Sequence, residues 1–107
     1  MKIAETPKPP YYAVIFTSER TEGDGGYSQM SDRMVELVKE QPGYLGHESA
    51  RNELGITVSY WRSLEDIKNW KNNMHHLVAQ KKGKETWYAN YKARICKVET
   101  DYSFEKD

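Results

Sequence analysis

From Tyr11 to Phe16 the chain reads Tyr-Tyr-Ala-Val-Ile-Phe, without a charged or strongly polar position. Successive side chains of a strand point to opposite faces. A strand built here has Tyr11, Ala13 and Ile15 on one side and Tyr12, Val14 and Phe16 on the other, so neither side suits water. The stretch from Ile56 to Trp61 repeats the problem, with Ile56, Val58 and Tyr60 set against Thr57, Ser59 and Trp61. A sheet holding both strands needs cover on two faces. Helices of the same chain supply one cover. A second copy, its sheet packed face to face across a two-fold axis, supplies the other with no new element, whereas a bare aromatic sheet is an association hazard. A homodimer is therefore expected from the strands alone.

The rest of the chain supplies the helices. "YYAVIFTSER" reads as a first strand ending near Ser18, and the loop-rich "TEGDGG" follows it. In "YSQMSDRMVELVKEQPG", Tyr27, Met30, Met34, Leu37 and Val38 recur at three- and four-residue spacing, which predicts a helix stopped by Pro42. "YLGHESAR" and "GITVSYWR" predict two strands joined through "NELG" into an antiparallel hairpin. "SLED" is a capping-box variant, after which Leu64, Ile67, Trp70 and Met74 share a helical face. Asn72 and Asn73 are expected to bend or interrupt that helix, with a second piece from Met74 to Lys82 stopping at Gly83. "WYANYKARICKVET" predicts a last strand with Tyr91, Ala93 and Ile95 opposite Arg94, Cys96 and Val98, although "KETWYANY" also suits a helical start.

The order strand, helix, strand, strand, helix, strand is the split βαβ or ferredoxin-like α+β arrangement, an antiparallel sheet with helices on one face. Prolines crowd "TPKPP", so residues 1–9 are expected to form a flexible lead-in, residues 10–104 one domain, and 105–107 a short tail.

Sixteen basic and sixteen acidic side chains cancel and form no long run, which argues against nucleic acid or an anionic membrane as a partner. No apolar stretch is long enough to span a bilayer, and a cytoplasmic location is expected. Cys96 is the only cysteine, so an internal disulfide and a multi-cysteine metal site are excluded; it reads as a half-buried strand residue.

The chemistry-bearing side chains are few. His75 and His76 are adjacent and point about 100° apart on a helix, so they do not clamp one ion, and no metal site is expected. His76 falls beside the apolar face, where a hydrogen-bonded structural imidazole and a proton-transfer imidazole are both admissible; His75 leans toward solvent. His47 has no local partner in sequence and reads as structural or exposed. Arg94 stands among apolar neighbours, either ion-paired with Glu48 on an adjacent strand or placed to steady a developing anion. Trp61, Trp70 and Tyr91 suit either core packing or the wall of a flat apolar cavity, and Ser59 is a small spacer or a pocket hydroxyl.

In "GYLGHESAR", "GITVSYWRSLEDIKNWK", "HLVAQKKG" and "WYANYKARICKVE" the chain resembles the antibiotic biosynthesis monooxygenase family of dimeric α+β barrels, and most nearly its uncharacterised bacterial branch, over residues 10–104. The resemblance implies paired ferredoxin-like subunits, each with a small cavity between helices and sheet. That family includes cofactor-free oxygenases acting on polyketide-like aromatics, haem-degrading enzymes and members of unknown role. In the haem degraders a tryptophan on the helix after the third strand is followed ten residues later by the iron-ligating histidine, and an asparagine on the first strand faces the haem. Trp70 matches that tryptophan, but Gln80 stands at the histidine's place and "YYAVIFTS" holds no asparagine. The resemblance thus implies a cofactor-independent monooxygenase for a small aromatic or polyketide-like substrate. His76, in the "HLxAQ" block recurring in that branch, would handle the proton and Arg94 the negative charge. Trp61, Trp70, Tyr91 and Ser59 would bind substrate, with no cofactor. The alternatives are a non-catalytic dimeric module binding a small apolar or aromatic ligand or an interaction partner, and a haem-binding protein.

Overall fold

The computed structural model describes residues 2–23, 25–80 and 87–107, the side chains of residues 75–80 excepted. The elements follow the expected order: β1 (Tyr11–Arg20), α1 (Tyr27–Val38), β2 (Tyr44–Arg51), β3 (Gly55–Trp61), α2 (Leu64–Gln80) and β4 (Tyr88–Val98). The strands form one antiparallel sheet in the order β2-β3-β1-β4. This is the ferredoxin-like α+β fold.

Registers fix which side chains share a face. On the helix-bearing face, one row across β2, β3, β1 and β4 is Arg51, Gly55, Ser18 and Tyr91. The next is Ser49, Thr57, Phe16 and Ala93, and a third is His47, Ser59, Val14 and Ile95. Beyond it Trp61 pairs with Tyr12, and there the core closes: Val38 of α1, Trp61 and Ile67 of α2 are buried together, with Tyr12, Tyr44 and Trp70 packed around them.

Two local devices set the position of α2. The Ser63 hydroxyl accepts the Asp66 backbone N–H at 3.1 Å, the serine cap read from "SLED" and worth about 1 kcal/mol, and donates to the Asp66 carboxylate at 2.8 Å. Gly43 has φ 81°, accepts the Arg62 N–H at 2.8 Å, and lies where a Cβ would overlap the Asp66 carboxylate. The helix does not break at Asn72 and Asn73, contrary to the sequence expectation. Asparagine costs a helix interior only a few tenths of a kcal/mol against average residues, and Asn73 donates its side-chain amide to Gln41 at 3.1 Å. Gly83, the expected stop, lies outside the described residues.

The other face carries Tyr11, Ala13, Ile15, Val58 and Tyr60 in its two central strands. Residues 2–10 run over part of it: the Ala4 N–H donates to Glu48 at 2.9 Å, and the Thr6 hydroxyl to the Tyr11 oxygen at 3.0 Å. Tyr11 in turn donates to Asp101 at 2.6 Å, an acceptor that holds its phenol above the ordinary value. Cys96 is exposed on this face, not half-buried, because β4 is an edge strand.

Tyr60 donates to the other Glu48 oxygen at 2.6 Å, and burial together with that bond pushes its phenol from 10.0 up to about 12. A raised phenol stabilises the fold fully below pH 10 and ceases to do so as pH climbs through about 12. The melting temperature is thus expected to fall between those two pH values, and to fall less in Tyr60→Phe; thermal scans at stepped alkaline pH measure both.

Candidate functional site

Between the two helices and the sheet lies a hollow of about 670 Å³, inside the range of roughly 300–1,000 Å³ usual for small-molecule sites. Its floor is the three rows named above; α1 contributes Tyr27, Met34 and Val35 to its walls, and α2 contributes Trp70, Lys71 and Met74. The hollow exists because the floor side chains are small where the helices stand off the sheet: Ser49, Thr57, Ser59 and Ala93 fill little of the gap.

One end is built around Tyr44 and His47. Tyr44 enters β2 at a register irregularity between Tyr44 and Gly46, which brings its hydroxyl onto Nδ1 of His47. Burial raises the Tyr44 phenol, so it stays neutral. His47 lies in the floor row beside Ser59, and the local partner that the sequence reading did not give it is Tyr44, three residues away. Behind this end Trp61 is wholly enclosed, its indole N–H on Ser59 at 2.9 Å and its ring stacked on Trp70 with centroids 6.2 Å apart.

The other end is a second aromatic group. Phe16 stacks on Tyr91 at 5.2 Å, and Tyr88 meets Phe16, Tyr91 and Tyr27 edge-on. Burial and a hydrogen bond with Tyr27 push the Tyr88 phenol far up, so it remains protonated at any physiological pH. Trp87 anchors this end by donating its N–H to the Gly25 carbonyl at 2.7 Å, under the loop that leads into α1. Arg20 lies 3.6 Å from the centre of the Tyr27 ring.

Of the residues singled out from sequence, Trp70, Tyr91 and Ser59 line the hollow. Trp61 does not; with no exposed surface it backs Trp70 instead of touching a ligand. Arg94 pairs with Ile15 and so belongs to the opposite face of the sheet. Its expected partner Glu48 is on that face too, but β2 and β4 are the two edge strands, with β3 and β1 between them, so the two are not neighbours. The side chains of His75, His76 and Gln80 lie outside the described residues.

Three groups at the hollow escaped the sequence reading: His47, Tyr44 and Arg51. The signal for His47 was present. Once "NELG" is taken as the turn pairing Arg51 with Gly55, counting back four residues along each strand sets His47 opposite Ser59, already a pocket candidate. Towards haem the floor offers a poor match, since β1 turns Val14, Phe16 and Ser18 to the hollow and no amide.

A four-stranded antiparallel sheet, two helices on one face and a ligand-sized hollow between them define the class: a ferredoxin-like α+β domain with an internal site. Residues 10–82 match the antibiotic biosynthesis monooxygenase family, and the chain belongs to it. A Bacillus subtilis (strain 168) relative, the uncharacterized protein YqjZ, is 45% identical over 107 residues, spanning 98% of this chain and 94% of its own. Among solved structures, SnoaB, a cofactor-independent oxygenase from Streptomyces nogalater, superposes with a TM-score of 0.64 at 7% identity, covering 92% of this chain and 100% of SnoaB. MhuD carrying two manganese protoporphyrin IX molecules per active site gives 0.62 at 20% identity over 87% of this chain and 99% of MhuD. At such identities these two likenesses concern the fold. Among the described residues no helix is long and apolar enough to cross a membrane.

Proposed function

We propose that the protein is a cofactor-independent monooxygenase that oxidises a small, planar, electron-rich aromatic bound in the hollow. The observation that carries this reading is an imidazole, His47, held by Tyr44 at one end of a mostly apolar cavity with aromatic rings at both ends. With Nδ1 carrying its hydrogen and donating it to the Tyr44 oxygen, Nε2 is the basic nitrogen and accepts a proton from an acidic C–H or phenolic O–H of the substrate. The resulting anion gives its electrons through carbon to dioxygen, and a carbon–oxygen bond forms, the imidazolium returning its proton to the peroxide to give a hydroperoxide. Loss of the proton left on that carbon, with cleavage of the O–O bond and departure of hydroxide, leaves a carbonyl and releases water. One oxygen atom enters the product and the other leaves as water, the substrate itself being the reductant. Trp70, Tyr91 and Ser59 shape the cavity around that ring. His76 keeps its place as a second candidate for the proton.

The test is an oxygen electrode charged with purified protein and anthrone- or quinol-like compounds, no metal or haem added. Consumption of one dioxygen per molecule oxidised, with one labelled atom from ¹⁸O₂ in the product, is expected. No uptake across the series favours the non-catalytic ligand-binding module.

We further propose that the chain works as a homodimer through the open face of the sheet. The lead-in leaves Ile56 42% exposed there, beside the half-buried Ile15 and Val58. Light scattering is expected to give twice the 12.5 kDa chain mass, and Val58→Glu to halve it.

A further inference from the structure

Arg51 is the one charged residue of the floor, and its path to that place is built from its neighbours. It ends β2 opposite Gly55, which in turn pairs with Ser18 on β1. The guanidinium crosses over Gly55, where a Cβ would collide with it, and donates through Nη2 to the Ser18 hydroxyl. Ser18 is only 2% exposed and the single buried polar residue among those described, so the far end of the arginine is fixed against the sheet while the residue as a whole remains open to solvent. Among the described residues its one hydrogen-bond acceptor is that neutral hydroxyl, which leaves most of its five N–H donors and its whole charge without a counterpart. On the far side of Ser18 from Arg51, Tyr91 ends the row on β4 and stacks on Phe16, giving a flat aromatic surface inside the hollow. His47 lies on the same face of the same strand four residues away, about 13 Å at the usual rise of an antiparallel strand.

We infer that Arg51 is an anion-binding residue at the mouth of the hollow, and that the ligand is a planar aromatic acid whose carboxylate docks on its guanidinium while the ring system extends toward His47. The inference rests on the proposed function only in placing the ligand in the same hollow. A carboxylate suits a planar guanidinium because two parallel N–H···O bonds form at once. Gly55 is then a specificity residue by absence, since any side chain there would lift the arginine off Ser18.

Calorimetric titration with anthracene-2-carboxylate and with its neutral primary amide tests this without any reference to turnover. The acid is expected to bind at least about tenfold more tightly than the amide, with a preference that shrinks as salt is raised. Arg51→Gln is expected to remove the preference by weakening the acid alone. Gly55→Ala, which keeps the charge but closes its path, is expected to do the same, with circular dichroism showing both variants folded. Equal affinities in the unaltered protein, a preference that survives both substitutions, or failure of both ligands to bind overturns the inference. Charge preference without oxygen uptake leaves Arg51 assigned and removes the oxygenase, whereas oxygen uptake without charge preference does the reverse.

Discussion

His47→Gln is expected to lower the rate of oxygen consumption about a hundredfold or more, the scale of a lost general base, while leaving the melting temperature within a few degrees. Glutamine keeps a polar side chain of similar reach against the Tyr44 hydroxyl, so the structural part of the residue survives and the proton-accepting part does not. The loss should appear in kcat more than in KM, because Trp70, Tyr91 and Phe16, which line the hollow and would hold the ring system of the ligand, are left unaltered by the substitution. Tyr44→Phe should cost less, about tenfold, since it removes the group that orients the ring but keeps the ring. His76→Ala is the necessary companion. Were it to abolish turnover while His47→Gln did not, the proton acceptor would be on α2 and the assignment made here would be wrong.

The sequence shows the sheet more readily than the site. The order of elements along the chain follows from pattern alone, since "YLGHESAR" and "GITVSYW" match β2 and β3. Local caps were readable too, because Ser63 and Asp66 are three residues apart. What pattern does not convey is which residues meet across strands. Arg94 and Glu48 belong to one row of the open face yet occupy opposite edges, and only the order β2-β3-β1-β4 separates them. Trp61 and Trp70 both look like pocket aromatics; their fates diverge because α2 seats Ile67 over the first and leaves the second at the rim. On propensity Asn72 and Asn73 suggest a bend or an interruption, and the continuous helix overrides a preference that small.

Trp61→Ala is expected to destabilise the fold by about 3–5 kcal/mol, the range for emptying a large buried aromatic site. For a single domain whose whole stability is about 5–15 kcal/mol, that removes between about a fifth and all of the margin. The reason lies in what the indole joins. It has no exposed surface, packs with Val38 and Ile67 from the two helices, stacks on Trp70 and meets Tyr44 edge-on. Removing it empties the junction at which both helices rest on the sheet, and the Ser59 hydroxyl loses the donor it accepts at 2.9 Å. A urea titration followed by circular dichroism measures the loss. Trp61→Phe keeps the packing but not the N–H and should lie between, at about 1–3 kcal/mol. Because the same indole backs Trp70 and Tyr44, the phenylalanine variant is also expected to bind the aromatic ligand more weakly while remaining folded, which ties the stability of this corner to the shape of the hollow.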